Sequence, residues 1–374
     1  MEAKTLPGAL KMIMKEEGWH QARLAREMGV QTTWVSRVVT GQRDTPVGNA
    51  IALLGRVGYE LVIRRKIDEV EVKRREFIAS VATATFVPAS NGNPYSNPEY
   101  VMLLSDRVEM GLYGSGGIST LEESARHLRR VRDSVADTKD VRLLGAASQL
   151  ARQVSRVQYD ARKLPQAQES GKISAILARQ AKDDSGQSDA LNELSSFYSY
   201  GQDGYHGERW ARQALSVPGI SPWQEAQGFV SLGRALGLLR EKRHSYAALE
   251  KAQEIGSELP EFERARLTGN VGVAFYDQGD WGKSIAAFQE AVRLIIPTSP
   301  LLGANYMARQ VQAALNAGLP YVAAELMNTL SCVAPLVSSA RLDGYLGEIM
   351  ALSSPYREVP EVRIMRQQLR TLLT

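Results

Sequence analysis

Four positions in the C-terminal part of the sequence, Ala214, Ala252, Ala291 and Leu330, follow one another at intervals of 38, 39 and 39 residues. Each closes an amphipathic helical segment. A chain repeating at this length stacks supersecondary units, each burying its apolar stripe only against the next. From Ser119 onward nearly every segment carries apolar residues at helical spacing, with breaks at Pro and Gly. The sequence therefore predicts an all-α body of stacked helix pairs.

The clearest unit is "TGNVGVAFYDQGDWGKSIAAFQEAVRLIIP", residues 268–297. It resembles a tetratricopeptide repeat, with Val271, Gly272, Phe275, Gly279, Trp281, Ser284, Phe288 and Ala291 at the positions expected for that family. The period exceeds the usual length of about 34 residues, so loops or helices must be extended. Units at 188–217, 224–257 and 301–332 fit the same register; 119–183 reads as degenerate helix pairs and 338–374 as a capping segment. The resemblance implies a curved stack whose first helices line a concave groove. On its register Asn192, Gln227, Arg234, Arg266, Asn270, Asn305, Arg309 and Gln312 face that groove, with Ser196, Ser231 and Tyr276 beside them. Amide and guanidinium side chains suit a peptide ligand, because they satisfy backbone groups and clamp carboxylates. Polar residues on a helix face are as commonly just solvated.

The N-terminal fifth differs in charge. Residues 1–75 carry 14 Lys and Arg against 9 Asp and Glu, whereas the remainder carries 31 against 32. The basic excess points to a polyanionic partner for this part alone. Within "QARLAREMGVQTTWVSRVVTGQ" (21–42), Leu24, Ala25 and Met28 form one stripe of a short helix, with Gly29 placed to cap it. Val35 and Val38 form the buried side of a second helix starting near Gln31, with Val30 in the turn and Gly41 at its end. A helix over 10–17 and another over 47–57, entered through Thr45 and Pro46, complete a small bundle. Gln21, Leu24-Ala25, Gly29-Val30, Val35-Ser36-Arg37 and Gly41 resemble the Xre or lambda-repressor/Cro class of helix-turn-helix over roughly residues 6–60. The resemblance implies that Thr32, Thr33, Ser36 and Arg37 meet base edges in a double-stranded DNA operator, while Gln21, Thr40, Gln42 and Arg43 hold phosphates. The alternative is an ordinary helical hairpin in a larger bundle.

"GYELVIRRK" (58–66) alternates at strand period and resembles the strand that pairs two copies of HipB-like antitoxins, which implies a homodimer; an extended linker reads equally well. "KRREFIASVATATFVPA" (73–89) has the look of a twin-arginine export signal but lies far from the N-terminus, so a hinge helix is expected instead. The Pro-, Asn- and Gly-rich 88–100 reads as linker. The division expected is 1–66 for the DNA-binding module, 67–100 for hinge and linker, and 101–374 for the repeats.

No signature of catalysis emerges. The lone Cys332 forms no internal disulfide, and the four histidines lack metal-ligand spacing. "GLYGSGGIS" (111–119) lacks the Lys-Ser/Thr of a phosphate loop and reads as a flexible connector. No apolar run is long enough to span a membrane. The expectation is a cytoplasmic regulator without cofactor, not an enzyme. Its architecture resembles the peptide-sensing Rap, Rgg, NprR and PlcR kind, with a peptide or small-molecule effector altering operator binding. A DNA-anchored scaffold holding a protein partner, or a phage-type repressor whose body serves oligomerisation, are the alternatives.

Overall fold

Capping side chains and prolines set the helix boundaries. Asn97, Asp140, Asp183, Asp203, Ser221, Asp280, Ser299 and Ser339 each accept a backbone N–H of the helix they precede. Ser221 and Gln224 close a reciprocal capping box. Prolines at 98, 222, 300, 320 and 360 occupy first-turn positions, where a missing N–H costs nothing. The computed structural model describes residues 6–40, 57 and 93–373, and among these every regular element is helical. The chain divides into two compact units, Met1–Ser90 and Asn91–Thr374.

In the first unit α1 (Leu6–Glu16), α2 (Gln21–Met28) and α3 (Thr32–Val39) enclose a core of Leu10, Ile13, Leu24, Ala25, Met28, Val35, Val38 and Val39. Trp19, Val30, Trp34 and Val57 pack against its edge. Gly29 ends α2 at φ 68°, the left-handed cap that its place in the sequence predicts. The cap at the other end, His20 accepting from the Arg23 N–H at 3.2 Å, has no counterpart in the sequence reading. The expected helix at 47–57 (apart from residue 57), the strand at 58–66 and the hinge helix at 73–89 lie outside the described residues.

The second unit is a stack of helical hairpins. Their first helices are α4 (Pro98–Ser115), α6 (Val141–Asp160), α8 (Asp184–Tyr200), α10 (Pro222–Leu238), α12 (Glu261–Asp277), α14 (Pro300–Asn316) and α16 (Ala340–Leu352). The second helices are α5 (Leu121–Val135), α7 (Leu164–Ala181), α9 (Gly204–Leu215), α11 (Lys242–Gly256), α13 (Trp281–Ile295), α15 (Pro320–Val333) and α17 (Pro360–Thr371). Residues 93–100, expected as linker, are folded: a single 3-10 turn over Pro94–Ser96 leads into α4.

Two periodic devices hold the hairpins. Arg162, Gln202, Arg240, Gly279 and Gly318 adopt positive φ between the first and second helices of five successive pairs. The second device is a serine clasp: Ser284 Oγ donates to Gly272 O at 3.0 Å and Ser245 Oγ to Gly233 O at 2.6 Å. In the α8/α9 hairpin the polarity reverses, with Ser195 Oγ donating to Gly207 O at 2.7 Å. A Cβ at Gly272 would stand 2.9 Å from Phe288 Cδ1. Gly272→Ala is therefore expected to cost about 1–3 kcal/mol in urea denaturation of the full chain. Gly282→Ala, where nothing lies within 4 Å, gains up to about 1 kcal/mol from helix propensity, so the two substitutions should differ in sign.

The stack returns on itself. Leu301 of α14 joins the same core as Val101, Leu104 and Leu112 of α4 and Leu150 of α6. The Gly-rich 111–119 is a packed seam, in contrast to the flexible connector expected there. Ser338 N–H donates to Ser115 O at 2.7 Å, and Ile118 N–H to Ser338 O at 3.3 Å. Gly116 has φ 92°, and a Cβ there would collide with the Ser338 carbonyl, so the position requires glycine. Asp160, 1% exposed, ties the ends together: Oδ2 accepts from Gly117 N–H at 2.9 Å and Oδ1 from Ser339 Oγ at 2.8 Å, and Arg341 Nη2 lies 3.4 Å from Oδ1.

Candidate functional site

Closure of the hairpin stack leaves a cavity of about 180 Å³, and every residue lining it comes from a first helix. α4 contributes Leu112 and Tyr113; α6 contributes Arg156, Tyr159 and Asp160; α8 contributes Glu193, Ser196 and Phe197. Gln227 and Arg234 follow from α10, Arg266, Asn270 and Val273 from α12, and Leu301, Leu302, Asn305, Tyr306 and Arg309 from α14. Arg341 and Tyr345 of α16 close the wall.

The repeat period explains the order. Gln227, Arg266 and Asn305 stand 39 residues apart, on the same turn of α10, α12 and α14. Asn270 and Arg309, also 39 apart, lie one turn further along. Asn270 Nδ2 donates to Gln227 Oε1 at 3.1 Å, and Tyr306 Oη donates to Asn270 Oδ1 at 2.8 Å. One polar chain therefore runs across three hairpins.

Charge is dense and mostly paired. Arg156 Nε lies 2.6 Å from Glu193 Oε1, Arg234 Nε 2.6 Å from Asp277 Oδ2, and Arg309 Nη1 3.7 Å from Glu348 Oε2. Tyrosine faces carry the guanidiniums as well, Arg309 lying 4.1 Å from the Tyr345 centroid and Arg341 4.6 Å from that of Tyr159. Burial holds the Glu193 carboxyl above the usual carboxylate range, against the opposing pull of Arg156, Arg152 and Arg266. Burial raises the Tyr306 hydroxyl in the same sense. Arg156 and Arg341 keep their charge, because burial, which disfavours it, is outweighed by carboxylates and tyrosines around them. Several buried polar atoms of the lining residues lack a hydrogen-bond partner: Glu193 Oε2, Gln227 Nε2, Asn305 Oδ1, Arg309 Nε and Arg341 Nε.

Of the groove residues expected from the repeat register, Gln227, Arg234, Arg266, Asn270, Asn305 and Arg309 come together here, with Ser196. Asn192 and Gln312 do not line the cavity. Asn192 Nδ2 donates to Gln224 O at 3.2 Å, and Gln312 Nε2 to Tyr345 O at 3.2 Å and Glu348 Oε2 at 2.9 Å, so both bridge adjacent hairpins. Arg156, Glu193, Arg341 and Tyr345 escaped the sequence reading. Three of them belong to hairpins whose repeat pattern is too weak to give a register.

Such a ring of hairpins has a counterpart among solved structures. The fold is similar to that of a Rap protein. That structure, a Rap protein complexed with Competence and Sporulation Factor, superposes with a TM-score of 0.52 at 12% identity, over 94% of this chain and 87% of that one. PlcR of Bacillus thuringiensis, in complex with the peptide PapR7 and DNA, is more distantly similar: TM-score 0.40, 12% identity, 82% of this chain and 99% of that one. The apo form of RapI gives a TM-score of 0.36 at 12% identity, over 93% of this chain and 86% of that one. No protein-family model matches the chain, and no curated protein matches it in sequence. The likeness is one of fold.

In the first unit Thr32, Thr33 and Arg37 lie exposed on α3, with Ser36 half-buried beside them. Gln21 is half-buried at the start of α2, and Thr40 is exposed with its hydroxyl donating to Ser36 O at 2.9 Å. Gln42 and Arg43 lie outside the described residues. Among the described residues no helix is long and apolar enough to cross a membrane.

Proposed function

We propose that the chain is a ligand-responsive transcriptional regulator: α3 reads an operator, and the cavity of the repeat unit receives the effector. The observation that carries the sensing half is the convergence of Gln227, Arg234, Arg266, Asn270, Asn305 and Arg309 on one cavity. Their amide and guanidinium groups can hydrogen-bond the polar groups of a ligand. The fold is shared with a protein whose structure holds Competence and Sporulation Factor, which supports the same reading.

The DNA-binding half rests on α2 and α3. Two short helices are separated by the Gly29 turn with their apolar sides in one core with α1, and Thr32, Thr33 and Arg37 are exposed on α3. This is the surface that the Xre-type resemblance assigns to base contacts, and the basic excess of residues 1–75 supplies attraction to phosphate. A single module of this size reads one half-site, so two copies on a two-fold operator complete the proposal. The regulator is read as working without cofactor and without catalysis.

Mapping bound genomic DNA with and without culture extract identifies the operator and shows whether an effector shifts occupancy. On that operator Arg37→Ala is expected to lose about 1–3 kcal/mol of discrimination, the worth of a bidentate contact to guanine. Unchanged affinity for both operator and scrambled DNA would remove α3 from the reading role. Binding indifferent to every extract would favour a repressor whose body serves only assembly.

A further inference from the structure

The charges around the cavity pair unevenly. Arg234, Arg309 and Arg341 each face one carboxylate, those of Asp277, Glu348 and Asp160. At the α6–α8 side two guanidiniums meet three carboxylates. Arg156 contacts Glu193 at 2.6 Å and Glu109 at 3.5 Å, while Arg152 contacts Asp189 at 3.0 Å and Glu193 at 3.6 Å. Glu193 still has one buried oxygen, Oε2, with no hydrogen-bond partner. This side holds one more carboxylate than guanidinium.

The complementary surplus lies on α12. Arg266 lines the cavity with its guanidinium 5.0 Å from the Trp223 centroid, and no carboxylate stands within ion-pair distance of it among the described residues. On the same turn of the neighbouring helix, Gln227 Nε2 is a buried donor without an acceptor. The cavity thus has a cationic, donor-rich pole and an anionic, acceptor-rich pole. Both Arg266 and Glu193 line the same cavity. A dicarboxylate would leave Glu193 opposed by like charge, and a simple cation would leave Arg266 unanswered.

Size narrows the class further. The cavity measures about 180 Å³. It falls below the 300–1,000 Å³ or so typical of drug-sized ligands. That volume matches a compact ligand.

Resting on the sensing role proposed above, we infer that the effector is a compact zwitterion, a free amino acid or a dipeptide, with its carboxylate on Arg266 and Gln227 and its ammonium on Glu193. Both ends form charge-assisted hydrogen bonds with buried or half-buried groups, so each charge is required.

The test uses the full-length protein, thermal-shift and calorimetric binding, and a panel of the twenty free amino acids and their glycyl dipeptides. At least one member raises Tm, and its N-acetyl and C-amide derivatives each bind at least tenfold more weakly. Arg266→Gln loses at least tenfold for the zwitterion but binds the C-amide as the unmodified protein does. Glu193→Gln behaves in the same way toward the N-acetyl derivative. That crossed pattern separates direct contact from damage to the fold. The inference fails if no member of the panel binds, if blocked derivatives bind as well as free ones, or if only peptides of five or more residues shift Tm. An extract that alters DNA binding when no panel member does would sink the zwitterion and leave the sensing role standing. If neither extract nor panel alters DNA binding, both fall.

Discussion

Asp160→Ala lowers the stability of the repeat unit by about 3–5 kcal/mol, the range for removing one partner of a buried ion pair. The carboxylate is 1% exposed and joins three elements: Gly117 N–H, the Ser339 hydroxyl and the Arg341 guanidinium. Its loss strands all three inside the protein, and Arg341 has no other carboxylate within ion-pair distance among the described residues. The effect is regional, because the hairpins far from the seam keep their own neighbours. Hydrogen exchange should therefore quicken at 115–118 and 337–342 while α10 to α13 retain protection. A loss below about 1 kcal/mol in denaturant melts would mean that the seam is ornamental to the fold.

Phe288→Ala is expected to cost a comparable 3–5 kcal/mol or so, through a different physical cause. Its ring is fully buried among Ala265, Ala291 and Ile295 and stacks on Tyr306 at 5.9 Å. Truncation leaves a void that helix backbones, held by the Ser284–Gly272 clasp, are poorly able to collapse. Exchange should then quicken around α12 to α14 and spare the seam, the reverse of the Asp160 pattern. If both variants give the same exchange map, the unit melts as one body and the hairpins are not separable in stability.

The helical hairpins from 184 to 333 were legible because sterics enforce them locally. A small residue must sit where two helices touch, as at Gly272, Ser284 and Ala291, and it recurs with the repeat. The two helices of residues 21–39 were legible for a similar reason, with Leu24, Ala25, Met28, Val35 and Val38 all buried. The groove was legible to within a register error. Asn192 is expected in the groove, but its side chain bridges to Gln224, and the next residue, Glu193, lines the cavity. Gln312, one turn beyond Arg309, is polar for a different reason, since it bridges to Tyr345 and Glu348. The seam was not legible. Asp160 and Ser339 lie 179 residues apart, and nothing local in either segment signals that they meet. The glycines of 111–119 read as freedom when their task is close approach.

An open array of repeats can gain or lose a module at little cost, since each touches only its neighbours. This one has surrendered that freedom. Deleting a single 39-residue module would swing Ser338 away from Gly116 by one step of the superhelix, and inserting one would overshoot it. The module count is thereby locked, and with it the diameter of the chamber. Diversification of what the chamber accepts must therefore proceed by exchanging side chains on its wall, not by adding or subtracting units.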